Sequence, residues 1–213
     1  MGLLKQRKSV RLEGFDYRQD ANYFVTINAT HRRCLFGTIS GCEVKLSEFG
    51  LLVEREWLEI PQRNNRVILG PHQIMPNHLH GIVTLKPLGR KLKAPVQLRC
   101  VFGKPIPGSL SSILGSFKCG VTLRAHQAGM NPNQSFWQPR FYDHIIRDDI
   151  SYFMIELYIQ LNPLLWEFDI ENPEAKGLTV DELRRILNDR YGIPGSLAAV
   201  LLEQDMMSRI KRR

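Results

Sequence analysis

The sequence predicts an α+β fold, a four-stranded antiparallel sheet packed against helices and followed by a helical appendage. Three observations predict it. Runs rich in β-branched and aromatic residues alternate with amphipathic runs in the order strand, helix, strand, strand, helix, strand, helix. A chain of 213 residues, 43% of them hydrophobic and 23% charged, is large enough for one globular core and is neither fibrous nor wholly disordered. Beyond residue 168 the pattern changes to short helical stretches broken by Gly and Pro.

Each element follows from local chemistry. Residues 22–30 (NYFVTINAT) have strand composition. Residues 47–60 are amphipathic, with Ser47 as N-cap and Pro61 as the stop. Residues 66–75 and 77–86 are two strands joined near Pro76. Residues 87–108 form a long basic loop carrying four prolines. Residues 109–127 are a second helix, 136–147 an alternating fourth strand, and 150–166 a third helix. Short right-handed connections turn this order into a ferredoxin-like, RRM-like sandwich with its helices on one face. Thr179 and Glu182 form a capping box for a helix over 181–191, and a last helix ends in the basic tail Arg209-Ile-Lys-Arg-Arg213. The expected division is a basic arm (1–20), a catalytic domain (21–168) and a helical appendage (169–213).

Composition limits the function classes. With 29 Lys and Arg against 21 Asp and Glu, the net charge of +8 favours a polyanionic partner, nucleic acid before membrane. The longest charge-free stretch, 67–85, holds two prolines and three histidines and does not suit a membrane span, so a cytoplasmic protein is expected. The N-terminal residues lack the apolar core of a signal peptide. Cysteines 34, 42, 100 and 119 form no CxxC pair, which fits reduced thiols. Phosphate-loop, GxSxG and HExxH motifs are missing from the sequence.

Two constellations carry chemistry. In Met75-Pro-Asn-His-Leu-His-Gly81, strand alternation sends His78 and His80 to one face, with Leu79, Val83 and Leu85 on the other. Two imidazoles so placed form a corner for a divalent metal, although two surface histidines would have the same spacing. Imidazole alone favours zinc or a later transition metal, whereas an oxygen ligand and a phosphate favour Mg2+ or Mn2+. In Tyr158-Ile-Gln-Leu-Asn162, Tyr158 and Asn162 stack one turn apart, bordering an apolar stripe of Ile150, Phe153, Leu157, Leu161 and Leu164. The alternative is a core-boundary tyrosine followed by a helix-ending Asn-Pro, the commoner setting for any single tyrosine. Arg11, Lys118, Arg124, Arg140 and Arg147 are candidate phosphate contacts or members of a solvated basic face. Tyr142, within reach of His144, is a second candidate nucleophile or a packing residue.

Taken together, Tyr23-Phe-Val-Thr-Ile27, Met75-Pro-Asn-His-Leu-His-Gly81, Phe136-Trp-Gln138, Tyr142-Asp-His-Ile-Ile-Arg147 and Tyr158-Ile-Gln-Leu-Asn-Pro163 resemble the REP-associated tyrosine transposases. These are bacterial single-tyrosine HUH nucleases, and the resemblance runs from about Arg11 to Trp166. It implies a ferredoxin-like domain that cleaves and rejoins hairpin-bearing single-stranded DNA through a 5′-phosphotyrosine. By motif, His78, His80 and Asn162 are the ligands of Mg2+ or Mn2+, and Tyr158 is the nucleophile. Tyr142 matches an aromatic of the preceding strand. The resemblance implies a monomer or homodimer. The long basic loop and the tail depart from the family pattern. The competing reading is a non-catalytic RRM-like module that binds nucleic acid on its sheet; the sequence contains no RNP-like aromatic motif to support it.

Overall fold

The computed structural model describes residues 15–87, 105–175 and 179–192. The chain runs β1 (Ala21–Asn28), β2 (Gly37–Ser40), β3 (Glu43–Leu46), α1 (Glu48–Leu58), α2 (Ile60–Arg63), β4 (Val67–Ile74), β5 (His78–Leu85), α3 (Leu110–Gln127), β6 (Tyr142–Ile146), α4 (Asp149–Leu161) and α5 (Val180–Tyr191). The four-stranded sheet has the order β4-β5-β1-β6 with every pair antiparallel, as the ferredoxin-like prediction requires. The predicted arm at 1–14, the loop at 88–104 and the last helix with its tail at 193–213 lie outside the described residues.

Alternation splits the sheet into two faces. Tyr23, Val25, Ile27, Leu79, Val83 and Leu85 meet Val53 and Trp57 of α1 and Leu114, Phe117 and Val121 of α3. Phe24, Ile82 and Ile146 point the other way and meet Ile155, Tyr158 and Ile159 of α4, with Leu187 of α5 completing that layer. The expectation of helices on one face is therefore corrected. Helix α4 is amphipathic enough to cover the second face, and it brings Tyr158 with it.

The caps agree with the sequence. Ser47 accepts from the Gly50 N–H, and the Thr179–Glu182 box makes both reciprocal bonds. Helix α4 ends at Leu161, with Asn162 as C-cap and Pro163 unable to continue the ladder. Four local readings change. Pro61 stands in the first turn of α2, where its missing N–H is harmless, rather than ending the helical path. The β2–β3 hairpin, turning at Gly41 with φ of 65°, escaped notice because four-residue strands carry too little periodicity. Strand β6 starts at Tyr142, since Pro139 interrupts the longer run, and Trp137 makes a single bridge to Ala29. The α4 stripe is rotated: Ile150 and Phe153 are 71% and 56% exposed, while Met154, Ile155, Tyr158 and Ile159 are buried.

Two charged groups tie the layers together. Glu56, fully buried on α1, meets Arg63 Nη2 at 2.8 Å and Arg124 Nε at 2.9 Å, so its desolvation is offset by two guanidinium groups. Arg66 donates to the carbonyls of Arg18 (2.7 Å), Lys86 (2.8 Å) and Gly108 (3.1 Å), pinning three chain segments at one point.

Gly81 lies between the sheet and Trp57; a Cβ there would stand 2.5 Å from Trp57 Cζ2. Gly81→Ala is expected to lower stability by about 1–3 kcal/mol through overpacking, read from the urea midpoint.

Candidate metal and tyrosine site

Register places the histidines. His80 stands opposite Thr26 and His78 opposite Asn28, on the face that α4 covers. Both imidazoles are fully buried, with ring centroids 4.3 Å apart. Each Nδ1 has a side-chain oxygen partner. His80 Nδ1 is 2.9 Å from Thr26 Oγ1, and His78 Nδ1 is 2.9 Å from Asn77 Oδ1.

The His78 tautomer follows from its neighbour. Asn77 Nδ2 donates to the carbonyls of Arg32 (3.0 Å) and Glu171 (2.7 Å), so the carboxamide oxygen must face His78. An oxygen that can accept but not donate requires the proton on Nδ1. In the neutral ring, the Nε2 lone pair is then turned into the site. Asn77 thereby also fastens the turn after β1, where His31 and Arg32 hold left-handed φ values of 50° and 55°. Two consecutive non-glycine residues in that region are strained, and the Asn77 bond to the Arg32 carbonyl helps hold them.

Tyr158, 2% exposed, points its hydroxyl at the same centre, 3.4 Å from His80 Nε2. Phe24 packs against both rings, its centroid 5.3 Å from His80 and 6.1 Å from Tyr158, which are themselves 5.3 Å apart. Asn162 follows one turn later and is 1% exposed, with Oδ1 buried and accepting no hydrogen bond among the described residues. Tyr142 shares the sheet face but packs edge-on against Phe24 at 6.2 Å.

The structure adds a group that the sequence reading did not single out. Asp169 Oδ2 lies 3.7 Å from His78 Nε2, and one donor atom from each of His78, His80 and Asp169 falls within 4.8 Å of the others. Asp169 is 3% exposed and opens the segment that the sequence divides off as an appendage. Nothing in the local sequence marks it, because its nearness to the histidines is purely tertiary. Asn77 and Thr26 were visible as residues, but their roles need the strand register. Two imidazoles and a carboxylate form a donor set suited to a divalent metal, and Asn162, one turn after Tyr158 on α4, carries a buried oxygen without a hydrogen-bond partner among the described residues.

Of the candidate phosphate contacts, Arg140 and Arg147 are exposed, Arg124 is paired with Glu56, and Arg11 lies outside the described residues. Lys118 is turned inward instead. Its Nζ donates to the carbonyls of Gln138 (2.8 Å) and Arg140 (3.0 Å), and burial pushes its pKa down to about 8.

No family model matches the chain. A protein of Haemophilus influenzae, described as uncharacterized, is 38% identical over 169 residues, spanning 78% of this chain and 93% of that protein. The chain belongs to that protein's family. A solved REP-associated tyrosine transposase, bound in its structure to a REP hairpin, superposes with a TM-score of 0.50 at 21% identity, covering 72% of this chain and 73% of that one. The chain therefore shares the fold of that transposase. No helix among the described residues is long and apolar enough to cross a membrane.

Two expected outcomes follow from the site's hydrogen bonding. In the wild-type apoprotein, 15N NMR of His78 should show Nδ1 protonated, and Asn77→Ala should weaken that preference with a stability loss of about 1–3 kcal/mol from the orphaned carbonyls. For Lys118, whose ordinary pKa is 10.5, the unfolded chain holds the extra proton between about pH 8 and 10.5, so this group makes stability rise with pH across that window. Lys118→Met should flatten the rise, as measured by urea unfolding at both ends of the window.

Proposed function

We propose that the protein is a transposase-like DNA strand transferase, an HUH endonuclease that cleaves and rejoins hairpin-bearing single-stranded DNA. The observation that carries this reading is the Tyr158 hydroxyl 3.4 Å from His80 Nε2, beside a pair of imidazoles suited to a metal. The shared fold of a transposase described as bound to a REP hairpin supports the substrate class.

In this reading His78, His80 and Asn162 hold Mg2+ or Mn2+, which when bound acts as a Lewis acid toward the phosphoryl oxygens. Tyr158 attacks the phosphorus through its phenolic oxygen. The P–O3′ bond breaks, the 3′ oxygen leaves with a proton as a free hydroxyl, and the 5′ phosphate stays on the tyrosine while the phenolic proton passes to solvent. A phenol with pKa near 10 is a far better leaving group than an alcohol, so a 3′-OH from another strand can attack the phosphotyrosine and reseal the DNA. The chemistry needs no ATP because the bond energy is kept in the ester. Thr26 and Asn77 orient the imidazoles from behind, and Phe24 packs against both the His80 and Tyr158 rings. His78, His80 and Tyr158 all come from one chain, which favours a site working in cis.

The grip on DNA is assigned to basic segments. Lys86, Arg90, Lys91, Lys93, Arg99 and Lys104 fall within residues 86–108, where the sequence has no Asp or Glu. Together with Arg11, Arg140 and Arg147 they provide a salt-sensitive hold on phosphates, with log affinity falling by about 0.7 per phosphate neutralised for each log unit of salt.

Incubating the protein with Mn2+ and end-labelled hairpin DNA should give a denaturation-resistant protein–DNA adduct. EDTA should prevent it, and Tyr158→Phe should reduce it to background while hairpin binding changes less than about three-fold. An adduct that persists in Tyr158→Phe would overturn the nucleophile assignment. Tight binding that is indifferent to EDTA, with no adduct on any hairpin, would favour the RRM-like binding module.

A further inference from the structure

We infer that Asp169 is a further ligand of the divalent metal, making the site a His–His–carboxylate centre to which the chain beyond α4 contributes directly. This rests on the reading of His78 and His80 as metal ligands and adds a residue that the HxH and YxxxN motifs do not contain.

Three observations carry it. The first is proximity. Asp169 Oδ2 lies 3.7 Å from His78 Nε2, and one donor atom from each of His78, His80 and Asp169 falls within 4.8 Å of the others. Ligand atoms about 2.1 Å from one ion stand about 3.0 Å apart at a right angle and about 3.4 Å apart at the tetrahedral angle, so a small inward shift of these buried side chains brings them into shared coordination.

The second observation is that the carboxylate is divided between two tasks. Oδ1 accepts the Glu171 N–H at 2.7 Å in an Asx turn, which fixes the side chain and leaves Oδ2 as the oxygen directed at the imidazoles. The third is that this turn is anchored independently of Asp169. The Glu171 carbonyl accepts from Asn77 Nδ2 at 2.7 Å, its carboxylate meets Arg32 Nε at 3.1 Å, and the Ile170 carbonyl accepts from Arg32 Nη1 at 3.2 Å. Asn77 thus holds the histidine on one side and the Asp169 turn on the other, setting the two ligand groups at a fixed separation.

The charge consequence is definite. A dication bound by two neutral imidazoles keeps both charges, whereas Asp169 lowers the net charge to one, which a single phosphodiester would cancel. The carboxylate also biases the site toward Mg2+ and Mn2+ over zinc, since hard oxygen donors favour the former and imidazoles the latter.

Calorimetric titration of the full-length protein with Mn2+, and separately with Zn2+, tests the assignment without requiring activity. Wild type and Tyr158→Phe are expected to bind one Mn2+ equally well. Asp169→Asn, which keeps the Asx-turn acceptor, should weaken Mn2+ at least ten-fold and Zn2+ by a smaller factor. Asp169→Ser can cap the same N–H and serves as the second variant should the first fail to fold. If wild type binds Mn2+ and both folded variants bind it within two-fold of wild type, Asp169 is no ligand, and the histidine site of the proposed function stands. If wild type binds neither metal, the metal-bearing reading itself falls and this inference with it.

Discussion

Strand β5 is the constraint on which the structure turns. It is hydrogen-bonded on both edges, to β4 and β1, and buried on both faces. Its odd-numbered side chains Leu79, Val83 and Leu85 anchor the α1/α3 core, while His78, His80 and Ile82 face α4. A slip of one residue would place two imidazoles in the hydrocarbon layer and three apolar side chains in the polar site. Core and site are therefore specified together, since the interactions that stabilise one register also present the two imidazoles side by side.

The polar side is held from behind the rings as much as from in front. Thr26 lies opposite His80 through strand pairing, and Asn77 precedes His78 at the hairpin tip. Neither would touch a substrate in the proposed reaction. They determine how the rings are turned and, for His78, which nitrogen carries the proton, and metal-binding imidazoles generally depend on such partners. With the strained turn at His31 and Arg32 tied to the same carboxamide, three chain segments meet at Asn77.

Much of this was legible in the sequence because it is local. The order of the sheet elements, the caps at Ser47 and Thr179, the ending of α4 before Pro163 and the shared face of His78 and His80 follow from periodicities of two and 3.6 and from turn chemistry. The motif resemblance added the pairing of that face with Tyr158. Other features were not legible. The rotation of α4 depends on which stripe the second sheet face accepts; Ile150 and Phe153 are as apolar as the residues that were buried. Asp169 stands 89 residues from His80 in the chain, in a segment without periodicity, and becomes visible only once the turn after α4 folds back. Lys118 looked like a surface cation because composition cannot distinguish a solvated amine from one bonded to two carbonyls.

The Arg66 guanidinium has one more consequence, for what the fold can tolerate. By bonding the carbonyls of Lys86 and Gly108, it fastens the two ends of an intervening segment to the sheet. Both anchors lie within the described residues, on either side of residues 88–104. Lengthening it would add closure entropy slowly, about 0.6 kcal/mol for each doubling. A segment of different length is therefore compatible with the same two anchors, with strand pairing and the imidazole site as they are.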